Sequence, residues 1–176
     1  MSEHNPVGQK ISYDAIKPIL AKISIFGGLK EDQQEFLAGL LKTEHYQKGD
    51  YIFKQGGDIT HIYIIRSGKV SIIVEANHVK NWVAELKTGD CFGETSVVGI
   101  LPHSASAIAA EPTELMVLQR QALLNIFETD KEVFGILILN IARETCRRFH
   151  HFDQIVREKF GLTSAHRYKS IDFGKK

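Results

Sequence analysis

A mainly-β barrel or sandwich of short strands, with helices before and after it, is the fold class this sequence predicts. After Thr43 the spacing of apolar residues changes from a helical repeat of about 3.6 to an alternation of about 2. The short apolar runs beyond that point are separated by glycine-bearing turns: Lys48-Gly49-Asp50, Gln55-Gly56-Gly57-Asp58, Arg66-Ser67-Gly68-Lys69 and Lys87-Thr88-Gly89-Asp90. Short strands punctuated at such regular intervals mark a sandwich or barrel. Past Gln119 the helical repeat returns, in a short run and then a long one.

The elements follow in order. Between Tyr13 and Ile25 apolar residues fall at Ile16, Ile19, Leu20 and Ile23, a helical spacing, with Ser12 as N-cap and Pro18 as a kink. Gly27-Gly28 ends that helix, and a second, amphipathic one starts near Leu29 and runs through Phe36, Leu37, Leu40 and Leu41. Strands are expected at Tyr51–Lys54, His61–Arg66, Val70–Glu75, Val79–Glu85, Ser104–Ala109 and Thr113–Gln119. Gly49 and Gly68 stand where tight turns need a positive φ. A hairpin through Ala76-Asn77-His78 leads to the only tryptophan, Trp82, and Glu111-Pro112 makes a later turn. Helices are then expected at Gln121–Phe127 and from Asp130 to about Phe160. In the long one, Phe134, Ile138, Ile141, Thr145, Arg148, Phe152 and Ile155 are spaced by fours and threes, the seam of a helix against a partner helix. Gly161 ends it, ahead of a polar, basic stretch from Leu162 to Lys176. The chain thus divides into a helical extension (1–22), one domain that includes the long helix (23–160) and a tail (161–176).

Composition narrows the function classes. The 176 residues suit one domain with a sizeable core, and 43% apolar, 24% charged residues and a net charge of +1 describe a globular protein with no bulk attraction to nucleic acid. The longest apolar stretch, Val133 to Leu139, is stopped by Asn140 and Arg143, far short of the roughly 20 residues that cross a bilayer. The amino terminus lacks the basic-then-apolar pattern of a secretion signal, so a cytoplasmic protein is expected. Cys91 and Cys146 form neither a disulfide framework nor a metal pair and read as buried small hydrophobes. No His-x-His pair falls on a strand, His150 and His151 point apart on a helix, and no nucleophile motif or P-loop is present. Neither an enzyme nor a metal protein is expected.

One stretch looks built to hold a ligand, Phe92-Gly93-Glu94-Thr95-Ser96-Val97-Val98-Gly99-Ile100-Leu101-Pro102-His103-Ser104-Ala105-Ser106. Glycine followed by Glu, Thr and Ser resembles a strand entering the first turn of a short helix, whose free N–H groups would face an anion. Pro102 then fixes the backbone before His103 and the next strand.

This stretch resembles the phosphate-binding cassette of cyclic nucleotide-binding domains. So do Phe26-Gly27-Gly28-Leu29, the run from Tyr46 to Gly56, the run from Ile62 to Val70, and Lys87-Thr88-Gly89-Asp90-Cys91-Phe92-Gly93-Glu94. Together they cover roughly Ile23 to Phe160 in the family's order. The resemblance implies an antiparallel jelly-roll barrel with a nucleotide, cAMP or cGMP, between the cassette, the strands and the long helix. It implies that Gly93 opens the turn and that Glu94 accepts a hydrogen bond from the ribose 2′-hydroxyl. The N–H groups of Thr95 and Ser96 would face the cyclic phosphate, Ser104 or Ser106 would add a hydroxyl, and Thr145 and Arg148 would read the base. Arg148, on the seam, either touches ligand, pairs with an acid or sits in solvent. His103 departs from the family, which has Arg there. A neutral imidazole in place of a charge-assisted contact would cost on the order of 1.5–3 kcal/mol unless it becomes protonated beside the phosphate. Without a ligand in mind, His103 reads as a surface-loop residue.

Two functions follow. One is a regulatory sensor that binds a cyclic nucleotide and signals through its C-terminal helix and a homodimer to an effector protein. The other is a degenerate copy of the fold, acting in dimerisation or protein interaction with an empty or differently filled pocket. The catabolite activator protein shares the barrel and long helix, but its helix-turn-helix has no counterpart in Gly161–Lys176, so no DNA binding by this chain alone is expected.

Overall fold

Two antiparallel sheets carry the alternating middle of the chain. The computed structural model describes residues 9–58, 61–76 and 79–161, and the chain divides into two units, Met1–Ile141 and Ala142–Lys176. In the first unit lie β1 (Gln9–Lys10), β2 (Lys42–Tyr46), β3 (Tyr51–Phe53), β4 (His61–Ser67), β5 (Lys69–Ala76), β6 (Val79–Lys87), β7 (Cys91–Phe92), β8 (Ser106–Ala109) and β9 (Thr113–Gln119). One sheet runs β1-β2-β9-β4-β7 and the other β3-β8-β5-β6, an antiparallel jelly-roll sandwich. The expected strands are present, and Gly49 and Gly68 have φ of 93° and 87°. The first residues expected of β8, Ser104 and Ala105, precede it. β1, β2 and β7 were not expected. Lys42-Thr43-Glu44-His45 has no apolar alternation, and β2 is a strand because its ladder to β9 satisfies its backbone.

Burial explains why the central strands read as unbroken apolar runs. On β4, Tyr63 and Ile65 face inward to a cluster with Val70, Phe92, Ala107, Leu115 and Val117 from both sheets. Their neighbours Ile62 and Ile64 join Met116 and Leu118 of β9 in a second cluster under the helices. A strand covered on both faces has no polar side to show.

The helices of this unit are α1 (Tyr13–Ile16), α2 (Glu31–Leu40), α3 (Glu94–Gly99), α4 (Arg120–Thr129) and the first part of α5 (Lys131–Phe160). The single kinked helix expected over Tyr13–Ile25 is instead α1 followed by 3-10 turns at Lys17–Lys22 and Ser24–Phe26. Pro18 has no N–H to continue an α-helical ladder, and Ser12 makes no side-chain cap. Val133, Leu137 and Ile141, four residues apart, place one stripe of α5 in the helix-side cluster. Asn140 on the same helix donates from Nδ2 to the carbonyls of Ile25 (3.1 Å) and Gly27 (2.7 Å), which tethers it to the last 3-10 turn. Ile141, only 2% exposed, belongs to the chain's own core. The outward stripe of the expected seam therefore begins after it.

In the second unit α5 continues from Ala142. Glu144 pairs with Arg147 and, at 3.3 Å, with Arg148, while Asp153 takes Arg157 at 2.6 Å. Phe149, Phe152 and Ile155 are exposed. Cys146 is exposed too, contrary to the expectation of burial, whereas Cys91 is buried. The expected tail Leu162–Lys176, the start of the expected helical extension and the hairpin tip Asn77-His78 lie outside the described residues.

Candidate functional site: the cassette from Phe92 to Ser106

β7 places the cassette. Phe92 pairs with Tyr63 and Cys91 with Ile64, so the strand lies along the edge of β4 that β9 leaves open. Gly93 then turns the chain with φ +82°, and a Cβ there would lie 2.8 Å from the His61 carbonyl oxygen and 3.2 Å from the Tyr63 ring. Only glycine serves at this corner. Glu94 follows as the first residue of α3 and is 1% exposed. Ser96 is buried and Thr95 exposed. Val97 anchors α3 in the helix-side cluster, and its N–H donates to the Gly93 carbonyl at 3.2 Å. Ile100 closes α3 in the left-handed region, φ 53° and ψ 45°, where Leu101 N–H donates to the Ser96 carbonyl at 3.2 Å.

His103 is not a surface-loop residue. It is 3% exposed and lies flat on Phe53, with ring centroids 3.7 Å apart and planes 8° apart. Two backbone bonds hold it to the loop after β3: Gly56 N–H donates to the His103 carbonyl at 2.8 Å, and His103 N–H donates to the Gly57 carbonyl at 3.3 Å. Burial holds the imidazole below its ordinary pKa, opposed only by a hydrogen bond to the Asp58 backbone. Its Nε2 is buried and makes no hydrogen bond among the described residues. Phe53 extends the aromatic wall inward, 5.7 Å from Tyr63 and 5.8 Å from Phe92. That wall connects His103 to the ring that hems in Gly93.

The serines divide. Ser104 is exposed, while Ser106 is buried and its Oγ accepts a hydrogen bond from Gln55 N–H at 3.0 Å, which leaves the hydroxyl proton to give. Thr145 and Arg148 belong to the second unit, where Arg148 has the acid partner Glu144. Phe53, Gln55, Asp58 and His61 were not among the binding residues expected from the sequence. His61 is half-buried, with its Nδ1 unbonded among the described residues. Burial first, against Glu44 and with Lys42, lowers its pKa. Alternation along Tyr51-Ile52-Phe53 gave no signal, since Phe53 packs on the core while Tyr51, two residues before it, is exposed. An open cleft of about 630 Å³ lies elsewhere, lined by Lys22, Lys69, Lys87, Asp90 and Glu111 at the turns, and includes no cassette residue.

The sequence profile of the cyclic nucleotide-binding domain matches residues 43–130, which contain β3, β4, β7, α3 and the cassette. The chain belongs to the cyclic nucleotide-binding domain family. The cGMP-dependent protein kinase egl-4 of Caenorhabditis elegans is 31% identical over 122 residues, which are 66% of this chain and 16% of that kinase. The chain therefore spans about a sixth of the length of this relative. A cyclic nucleotide-binding domain from Methylobacillus flagellatus superposes with a TM-score of 0.74 at 23% identity, covering 83% of each chain. The catabolite activator protein of Thermus thermophilus gives 0.68 at 28% identity, over 76% of this chain and 61% of that one. Among the described residues no helix is long and apolar enough to cross a membrane, and no three His, Cys, Asp or Glu residues are grouped to hold a metal.

Proposed function

We propose that this chain is a regulatory module, cytoplasmic and without catalysis of its own, that binds a cyclic nucleotide of the cAMP or cGMP type. The observation that carries this reading is the buried Glu94 immediately after the glycine corner, inside the segment matched to the family. A carboxylate kept almost wholly out of water fits the role of accepting a ribose 2′-hydroxyl. The N–H groups of Thr95 and Ser96 and the hydroxyl of Ser106 or Ser104 would meet the phosphate. Thr145 and Arg148 would reach the base from α5, and the signal would pass through that helix, in a homodimer, to an effector protein. The domain would run from residue 23 to 160. Titration calorimetry of the full chain with cAMP and cGMP tests this, and neither heat nor a thermal shift at millimolar nucleotide would sink it.

His103 favours a second reading, a retained fold used for dimerisation or protein interaction. In place of a cation, the cassette holds a buried imidazole stacked on Phe53. Nucleotide binding that appears only in a His103→Arg variant would establish that reading.

A further inference from the structure

The neutral imidazole of His103 leaves an acceptor, not a donor, without a partner. Nε2 has no partner among the described residues, so the bond to the Asp58 backbone falls to Nδ1, and it pulls the pKa up, as a carbonyl accepting the ring proton does. The neutral ring then carries its proton on Nδ1 and leaves a lone pair on Nε2. A cyclic phosphodiester carries only acceptor oxygens on its charged group, and two acceptors do not bond.

We propose that the cassette takes up an anionic cyclic phosphate together with one proton, which His103 Nε2 receives from solvent and donates to a phosphate oxygen. This rests on the reading of the site as a cyclic nucleotide pocket. The geometry leaves the ring few other ways to adapt. The Phe53 stack fixes the ring plane and the two backbone bonds at Gly56 and Gly57 fix its position, so the remaining freedom is a half-turn within that plane, which would break the Nδ1 bond to the Asp58 backbone. The elements packed on it are β3 and the loop after it, whose titratable groups are Tyr51, Lys54 and Asp58. Lys54 Nζ sits 5.3 Å over the Tyr51 ring, and Asp58 meets the imidazole through its backbone. Behind Phe53 stands Tyr63, followed by His61 at 5.8 Å from it. Among the described residues no carboxylate side chain is bonded to the ring, and burial holds its pKa down, so a ligand's charge would have to hold the added proton.

The experiment is calorimetry of the full chain with cAMP and with cGMP in two buffers of different ionisation enthalpy, repeated between about pH 6.5 and 7.5. The expected result is uptake of about one proton per nucleotide and a Kd that weakens up to about tenfold across that range. The His103→Arg variant should bind with no uptake and a flat profile, and His103→Gln should lose both the uptake and most of the affinity. Ring nitrogen NMR of the natural chain supplies a readout free of any substitution: His103 neutral alone and protonated with nucleotide. Binding with no proton uptake, or uptake that persists in His103→Arg, overturns the inference and leaves the proposed function standing. Binding by His103→Arg alone overturns the inference and favours the second reading. No binding by either chain at any pH removes the inference and the nucleotide reading together.

Discussion

Folding carries His103 from water to a site against Phe53, a transfer that a neutral imidazole survives better than a charged one. In the unfolded chain the ring titrates near the ordinary histidine value of about 6.5, and in the folded chain below it. Between the two values the unfolded chain holds more protons, so folding stability is full above about pH 6.5 and is lost as pH falls through the folded value. His61, lowered chiefly by its own burial, acts in the same sense. Thermal melts from about pH 7.5 down to 5 should therefore show a falling Tm, with a shallower fall in His103→Gln. An unchanged slope in the variant would assign the effect to other groups. The chemistry at this residue was legible, because a histidine nine positions after Glu94 stands out within the cassette. Its burial was not. That comes from a partner fifty residues earlier, and the local run Leu101-Pro102-His103-Ser104 carries no trace of it.

Among the described residues, Ile100 at the end of α3 is the one non-glycine residue with a positive φ. The final cap of α3 places Ile100, β-branched and exposed, in the left-handed region, at a cost of roughly 1–2 kcal/mol. Val97 in the core and the Ser96 carbonyl bonded to Leu101 hold the turn against that cost. Ile100→Gly should stabilise the protein by about 1 kcal/mol after allowing for the freer unfolded chain, as read from urea denaturation. A destabilised variant would show that Ile100 contributes packing that its exposure hides. The same scale shows which elements a sequence reveals. Val70, Ile72 and Val74 announce β5 by their period, and Gly49 and Gly68 announce their turns. β2 and β7 give no such signal, since one is polar and the other is two residues long. Both exist through pairing with strands far away in the chain. Pro18 was read as a kink within one helix, whereas the α-helix stops at Ile16 and the chain goes on in 3-10 turns, because proline has no N–H to continue the ladder.

For the whole molecule, the heptad seam expected along α5 is split by burial. Ile141 and the residues before it pack into the chain's own core, and the exposed apolar side chains Phe149, Phe152 and Ile155 follow in the second unit. If the proposed homodimer uses them, sedimentation at micromolar concentration should give a dimer, and Phe152→Glu should yield a monomer with an unchanged Tm for the first unit. A natural chain that sediments as a monomer would remove the dimer from the proposed function. The unbroken apolar runs of β4 and β9 have a consequence of a different kind. Because those two strands are covered on both faces, no partial opening uncovers their shared ladder without dismantling one cluster or the other. Their amide protons should be the last to exchange with deuterium, at rates set by global unfolding. The cassette is tied to the same two clusters through Phe92 and Val97, so within it only the exposed turn from Val98 to Leu101 should exchange early.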